Sequence, residues 1–161
     1  MPIEIERKFL VDAQLWQPQG SASHYRQGYV CISEERVVRV RIADQSAYLT
    51  LKGALPGSSI ARLEYEYPIP LTDAEEMLAR LCPLPPIDKV RYRFHHGQQL
   101  WEVDIFAGAN SGLILAEVEL ASIDQVVELP SWVGREVTED PRYSNAYLSQ
   151  HPYNLWPEQK E

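Results

Sequence analysis

Strict alternation of polar and apolar side chains over runs of about six to ten residues is the feature that most limits what this chain can become. A period of two belongs to a strand with two unlike faces. Eight runs carry it, roughly 3–11, 24–32, 36–43, 46–53, 61–70, 88–96, 99–107 and 112–121. Turn-forming residues separate several of them, at Asp44-Gln45, Pro56-Gly57-Ser58-Ser59, His96-Gly97 and 108–112, so neighbouring runs read as antiparallel hairpins.

Helical signals are fewer. Thr72-Asp73-Ala74-Glu75 has the form of a capping box, followed by Ala74, Met77, Leu78 and Leu81 at helical spacing and a stop at Pro83. A second helix is expected over 122–129. A third follows Asp140-Pro141 and carries Tyr143, Ala146, Tyr147 and Leu148.

Position parity decides which side of a sheet a side chain takes. One face gathers Glu4, Glu6 and Lys8; Arg39 and Arg41; Lys52; Arg62, Glu64 and Glu66; Lys89, Arg91 and Arg93; Glu102 and Asp104; Glu117 and Glu119. The reverse face of the same runs is apolar, as in Val38, Val40 and Ile42, or Trp101, Val103 and Ile105. A single polar strand face is ordinarily a solvated one. Here the eight carboxylates and eight cations recur as like-charge neighbours two residues apart, which repel unless opposite charge sits between them. The expectation is therefore mainly β with a few helices (α+β): an eight-stranded antiparallel closed barrel, its charged face inward around a wet cavity and its helices packed outside. Arginine and lysine match phosphate oxygens, and clustered carboxylates match the oxygen preference of Mg²⁺ or Mn²⁺.

Composition bounds the rest. At 161 residues, 45% hydrophobic and 24% charged, one domain over 1–161 can bury roughly two thirds of its unfolded surface without disulfides. Cys31 and Cys82 form neither a disulfide framework nor a metal motif and fit a reducing compartment. No apolar run approaches the roughly 20 residues of a membrane span, and the first residues lack signal-peptide character, so a soluble cytoplasmic protein is expected. A net charge of −8 argues against a nucleic-acid binder. His24, His95, His96 and His151 lack metal-ligand spacing, and neither a P-loop nor a nucleophile elbow is present. Trp16, Trp101, Trp132 and Trp156 read as packing residues. The stretch Pro130-Ser131-Trp132 and the helix near Tyr143 are positioned to close one mouth of the barrel.

The opening Glu4-Ile5-Glu6-Arg7-Lys8-Phe9 resembles the E-x-E-x-K signature of the CYTH, or triphosphate tunnel metalloenzyme, family. The likeness continues through Arg26-Gln27-Gly28-Tyr29, Arg39-Val40-Arg41, Leu49-Thr50-Leu51-Lys52-Gly53, Arg62-Leu63-Glu64-Tyr65-Glu66, Lys89-Val90-Arg91-Tyr92, Glu102-Val103-Asp104, Glu117-Val118-Glu119 and Glu136-Val137-Thr138-Glu139-Asp140. It is most marked toward short bacterial inorganic tripolyphosphatases. The resemblance implies an eight-stranded tunnel and divalent-metal-dependent hydrolysis of tripolyphosphate to pyrophosphate and phosphate. It implies metal ligands at Glu4, Glu6, Asp104, Glu117 and Glu119, and a phosphate cradle of Lys8, Arg39, Arg41, Lys52, Arg62, Lys89 and Arg91. Glu4, Glu6, Lys8, Arg41, Lys52 and Glu119 are the catalytic candidates; Glu64, Glu66 and Glu102 match without an assigned role, and Arg93 lies beyond the motif. The implied partner is a small triphosphate, with no nucleic acid and no membrane. The same charged set also serves class IV adenylyl cyclases, thiamine triphosphatases and a non-catalytic polyphosphate-binding module.

Overall fold

The structure is a computed structural model and describes residues 2–157. Nine strands form one antiparallel sheet: β1 Ile3–Val11, β2 Ser21–Ile32, β3 Arg36–Ala43, β4 Ser46–Ala54, β5 Ala61–Ile69, β6 Ile87–His96, β7 Gln99–Phe106, β8 Ile114–Glu119 and β9 Val133–Glu136. Eight of them close on themselves in the circular order β1-β5-β4-β3-β2-β6-β7-β8. Closure rests on three register pairs, Ile3↔Leu63, Glu4↔Arg62 and Ile5↔Ala61. Further along the same edge of β1, β9 takes the place of β5, pairing Phe9 with Glu136 and Val11 with Val133. This ninth strand was not expected from the sequence, because four residues are too few to show a period.

The apolar face points outward, and three clusters pack the wall and one end of the barrel. Phe9, Trp16, Phe94, Trp101 and Trp132 pack as tilted and edge-to-face rings on the outer surface of β1, β6 and β7. Trp132 thus covers the barrel wall; the expectation that Pro130-Ser131-Trp132 closes a mouth is corrected. A second cluster is on the inward side: Ile87, Phe106 and Leu115 share the face of Lys89 and Asp104 and, with Val137, pack at one end of the barrel against Tyr143, Leu148 and Trp156. The third lies under helix α1, Leu71–Arg80, where Ala74 and Leu78 meet Val40, Ile42 and Ala47. Here Gly28 allows the close approach: a Cβ would stand 2.9 Å from Leu78 Cδ2 and 3.1 Å from Cys82 Sγ.

The helical expectations are revised in three places. The capping box at Thr72 does not form, because α1 begins at Leu71 after Pro70 and no side chain caps it; the amide of Ala74 donates to the Pro70 carbonyl as the first helical bond. Residues 122–129 are a turn and a loop. Ile123, Val126 and Leu129 stay exposed, so a helix there would bury no face, and the side chains of Gln125 and Gln99 hydrogen-bond the backbone instead. Asp140 caps only a 3₁₀ turn, Pro141–Tyr143, after which Ser144 caps α2, Asn145–Gln150. While α1 packs outside as expected, α2 lies across one end of the barrel with its first residues facing the interior. Among the described residues no helix is long and apolar enough to cross a membrane.

Candidate active site

The charged face surrounds a cavity of about 980 Å³. All eight carboxylates come from four consecutive strands, β7, β8, β1 and β5. Six of the eight cations come from β6, β3 and β4, on the other side of the circle. The hollow therefore has an acidic wall and a basic wall, with Lys8 and Arg62 the cations inside the acidic arc.

On the basic wall the arginines are held in three different ways. Arg39 donates from Nη2 to Thr50 Oγ1 (3.2 Å) and Glu66 Oε2 (3.4 Å). Arg91 makes a bidentate contact with Asp104 (2.7 and 2.9 Å) and reaches Glu102 at 3.3 Å. Arg41 has no carboxylate within 4 Å among the described residues; its Nε donates to Gln27 Oε1 at 2.8 Å. The Arg41 and Arg91 guanidinia both pack on the ring of Tyr25, 4.7 and 4.9 Å from its centroid. Burial, then the neighbouring Arg39 and Arg91 charges, lower Arg41 to about 9, so it is still a cation at neutral pH but one crowded by its own kind.

The acidic wall is crowded in the opposite sense. Glu6 lies directly across from Glu119 in the β1–β8 register, and Glu117 lies between Lys8 on one side and Glu102 on the other. Lys52 holds Glu4 at 3.0 Å and Glu64 at 3.2 Å, while Lys8 stands 3.7 Å from Glu117 and donates to the Tyr143 carbonyl. Burial works against ionisation of Glu4, yet Lys52 brings it below the ordinary range. Glu117 is similarly buried and is brought down to about 2 by Lys8 and Arg91. Glu6 behaves differently, since burial and then the Glu117 and Glu4 charges push it well above the usual carboxylate range. Glu119 is raised as well, by burial and then by Glu102. These four carboxylates are hard oxygen donors set close enough to repel one another, which is the donor chemistry a divalent cation relieves. Among the described residues no three of them converge at ligating distance.

Residues 2–153 match the CYTH domain. The chain belongs to the CYTH family. Among curated CYTH relatives, a protein of Acetivibrio thermocellus named inorganic triphosphatase is 46% identical over 155 residues, covering 96% of this chain and 98% of the relative. A protein of Nitrosomonas europaea with the same name is 40% identical over 151 residues, covering 91% and 96%. A crystal structure of an inorganic triphosphatase superposes with a TM-score of 0.65 at 39% identity, over 92% of this chain and 95% of that one.

The CYTH barrel brings most of the residues singled out in the sequence to one cavity: Glu4, Glu6, Lys8, Arg39, Arg41, Lys52, Arg62, Glu64, Glu66, Arg91, Arg93, Glu102, Glu117 and Glu119 all line it. Lys89 and Asp104 face the same way but lie behind this lining. Lys89 is fully buried and donates to Asp104 Oδ2 at 2.7 Å, and both Asp104 oxygens are engaged by Arg91 and Lys89. Burial opposes the Asp104 charge, but those two cations hold its carboxyl far below the ordinary range. Sequence reasoning missed Tyr25, Gln27, Thr50 and Asn145, the uncharged groups that hold the arginines and Lys89. Tyr25 and Gln27 share one parity in the run read over 24–32, which was the signal available; Asn145 arrives from outside the strands and has none.

Proposed function

We propose that the chain hydrolyses inorganic tripolyphosphate to pyrophosphate and phosphate with Mg²⁺ or Mn²⁺, as the names of its relatives suggest. The observation that carries this reading is the segregation of charge around one cavity, a row of guanidinium and ammonium groups facing a row of carboxylates. A pure anion receptor has no use for the second row. Glu4, Glu6, Glu117 and Glu119 are the residues that would hold the cation; Asp104, with both oxygens bound to cations, instead fixes Arg91 and Lys89. When bound, the ion neutralises phosphate charge and acidifies water.

Phosphoryl transfer needs the groups aligned and the charge on the phosphate oxygens stabilised. Arg39, Arg41 and Arg91 present donors from one wall, and Lys8, Lys52 and Arg62 extend them around the hollow. Glu6 or Glu119, both raised above the ordinary carboxylate range, orients the attacking water and takes up its proton. Water oxygen bonds to the terminal phosphorus as the bond to the bridging oxygen breaks, leaving pyrophosphate and phosphate. Two free thiols, Cys31 and Cys82, fit a reducing compartment, and we place the reaction in the cytoplasm.

Phosphate release from tripolyphosphate, ATP and thiamine triphosphate, each with Mg²⁺, Mn²⁺ or a chelator, tests the reading. Tripolyphosphate should be the fastest substrate, with release stopped by the chelator. Faster turnover of a nucleotide or thiamine ester, or release that survives chelation, would overturn it.

A further inference from the structure

Arg41 is the one arginine of the basic wall with no acid partner within 4 Å among the described residues. Its Nε is taken by a neutral amide, and among the described residues no acceptor meets its Nη groups at the cavity surface. The amide that holds it is fixed from behind: Gln27 is fully buried, and its Nε2 donates to Asn145 Oδ1 at 3.2 Å. The same Asn145 oxygen accepts from Lys89 Nζ at 3.0 Å. Because a Gln amide has one accepting and one donating end, the bond to Asn145 decides that the oxygen end faces Arg41. A continuous chain of contacts thus runs Asp104, Lys89, Asn145, Gln27, Arg41, across β7, β6, α2, β2 and β3.

We infer that Asn145 and Gln27 are positioning residues that aim the Arg41 guanidinium into the cavity while leaving its charge uncompensated for an incoming phosphate. A carboxylate in the place of Gln27, making the kind of contact Glu66 makes with Arg39, would aim the group equally well but would neutralise it beforehand. The neutral amide gives direction without taking the charge, and burial together with the like-charged neighbours Arg39 and Arg91, which lower Arg41 to about 9, adds to the gain when an anion arrives. This inference rests on the triphosphatase reading above for its ligand, and it makes the first residue of the end-capping helix part of the phosphate grip.

The test measures tripolyphosphate binding by calorimetry in chelator, and KM and kcat with Mg²⁺, for the unaltered chain, Gln27→Met, Gln27→Glu, Asn145→Ala and Asn145→Asp, with folding checked by circular dichroism. Gln27→Met and Asn145→Ala should each weaken binding and raise KM by about tenfold while kcat changes less, the scale of a lost hydrogen bond to a charged group. Gln27→Glu should weaken binding at least as much, although its contact with Arg41 is stronger. Asn145→Asp, which keeps the accepting oxygen, should bind within about threefold of the unaltered chain, since every bond of the relay is preserved. Should one of the Gln27 variants fail to fold, the Asn145 pair alone decides. Unaltered binding and KM in folded Gln27→Met or Asn145→Ala, a loss in Asn145→Asp as large as in Asn145→Ala, or tighter binding by Gln27→Glu would overturn the inference and leave the triphosphatase reading standing. Failure of the unaltered chain to bind or cleave tripolyphosphate would overturn both.

Discussion

Glu6 and Glu119 face each other directly across the β1–β8 ladder, two carboxylates at a position where opposite charge is the stabilising choice. No cation lies within 4 Å of either among the described residues. Such a pair weakens the fold unless a bound cation offsets the repulsion, which is what the proposed metal role of Glu6 and Glu119 supplies.

Replacing Glu6 by Gln should abolish Mn²⁺ binding measured by calorimetry and reduce turnover by at least about a hundredfold, the scale on which acid–base and charge-stabilising groups act. It should also change how stability follows pH. The folded value of Glu6 is raised above 4.5 by burial and by Glu117 and Glu4, so the fold takes up a proton there and loses stability as pH climbs from 4.5 through the raised value. In chelator, the melting temperature of Glu6→Gln should gain on that of the unaltered chain as pH rises past 4.5. A pH-independent difference would show that Glu6 titrates normally.

Asp104→Asn leaves Arg91 and Lys89 buried with one formal partner fewer. Denaturant unfolding should show a loss of about 3–5 kcal/mol, as when one member of a buried ion pair is removed. Cation affinity of the folded variant should fall far less than in Glu6→Gln. The reverse order would return Asp104 to the ligand set.

Trp132→Ala removes the ring that meets Trp16, Phe94 and Trp101 edge-on, and should lower stability by about 3–5 kcal/mol. Since Trp132 covers the barrel's outside, KM of the folded enzyme should not move. A changed KM would put Trp132 at the mouth after all.

Gly28→Ala sets a methyl against Leu78 and Cys82, both held by the packing of α1 on β2. Overpacking of this kind costs about 1–3 kcal/mol, visible as a lower melting temperature with unchanged kcat/KM. An unchanged melting temperature would show that α1 slides freely on the barrel.

The eight barrel strands could be read from the chain because their charged residues alternate with apolar ones over many positions, and the same parity sorted Glu4, Arg41, Arg91 and Glu117 onto one face. What period two does not report is depth. Lys89 and Asp104 share the parity of Arg91 and Glu102, yet they lie behind the cavity lining because α2 presses on that end of β6 through Asn145. Short-range signals failed where tertiary contacts settled the outcome: Pro70 displaced the cap at Thr72, and Gln99 and Gln125 tied down a segment whose composition allowed a helix. Asn145, Gln27 and Thr50 carry no charge, so nothing in a charge pattern marks them.

The basic wall is enclosed by a molecule of net charge −8. A polyanion approaching through bulk solvent is therefore repelled at long range and is attracted only once it comes within about a Debye length, ~8 Å at physiological ionic strength, of the arginines. Added salt screens the repulsion on the way in before it loosens the enclosed grip, so capture should quicken with moderate ionic strength, opposite to the behaviour of enzymes that draw their substrates in from afar.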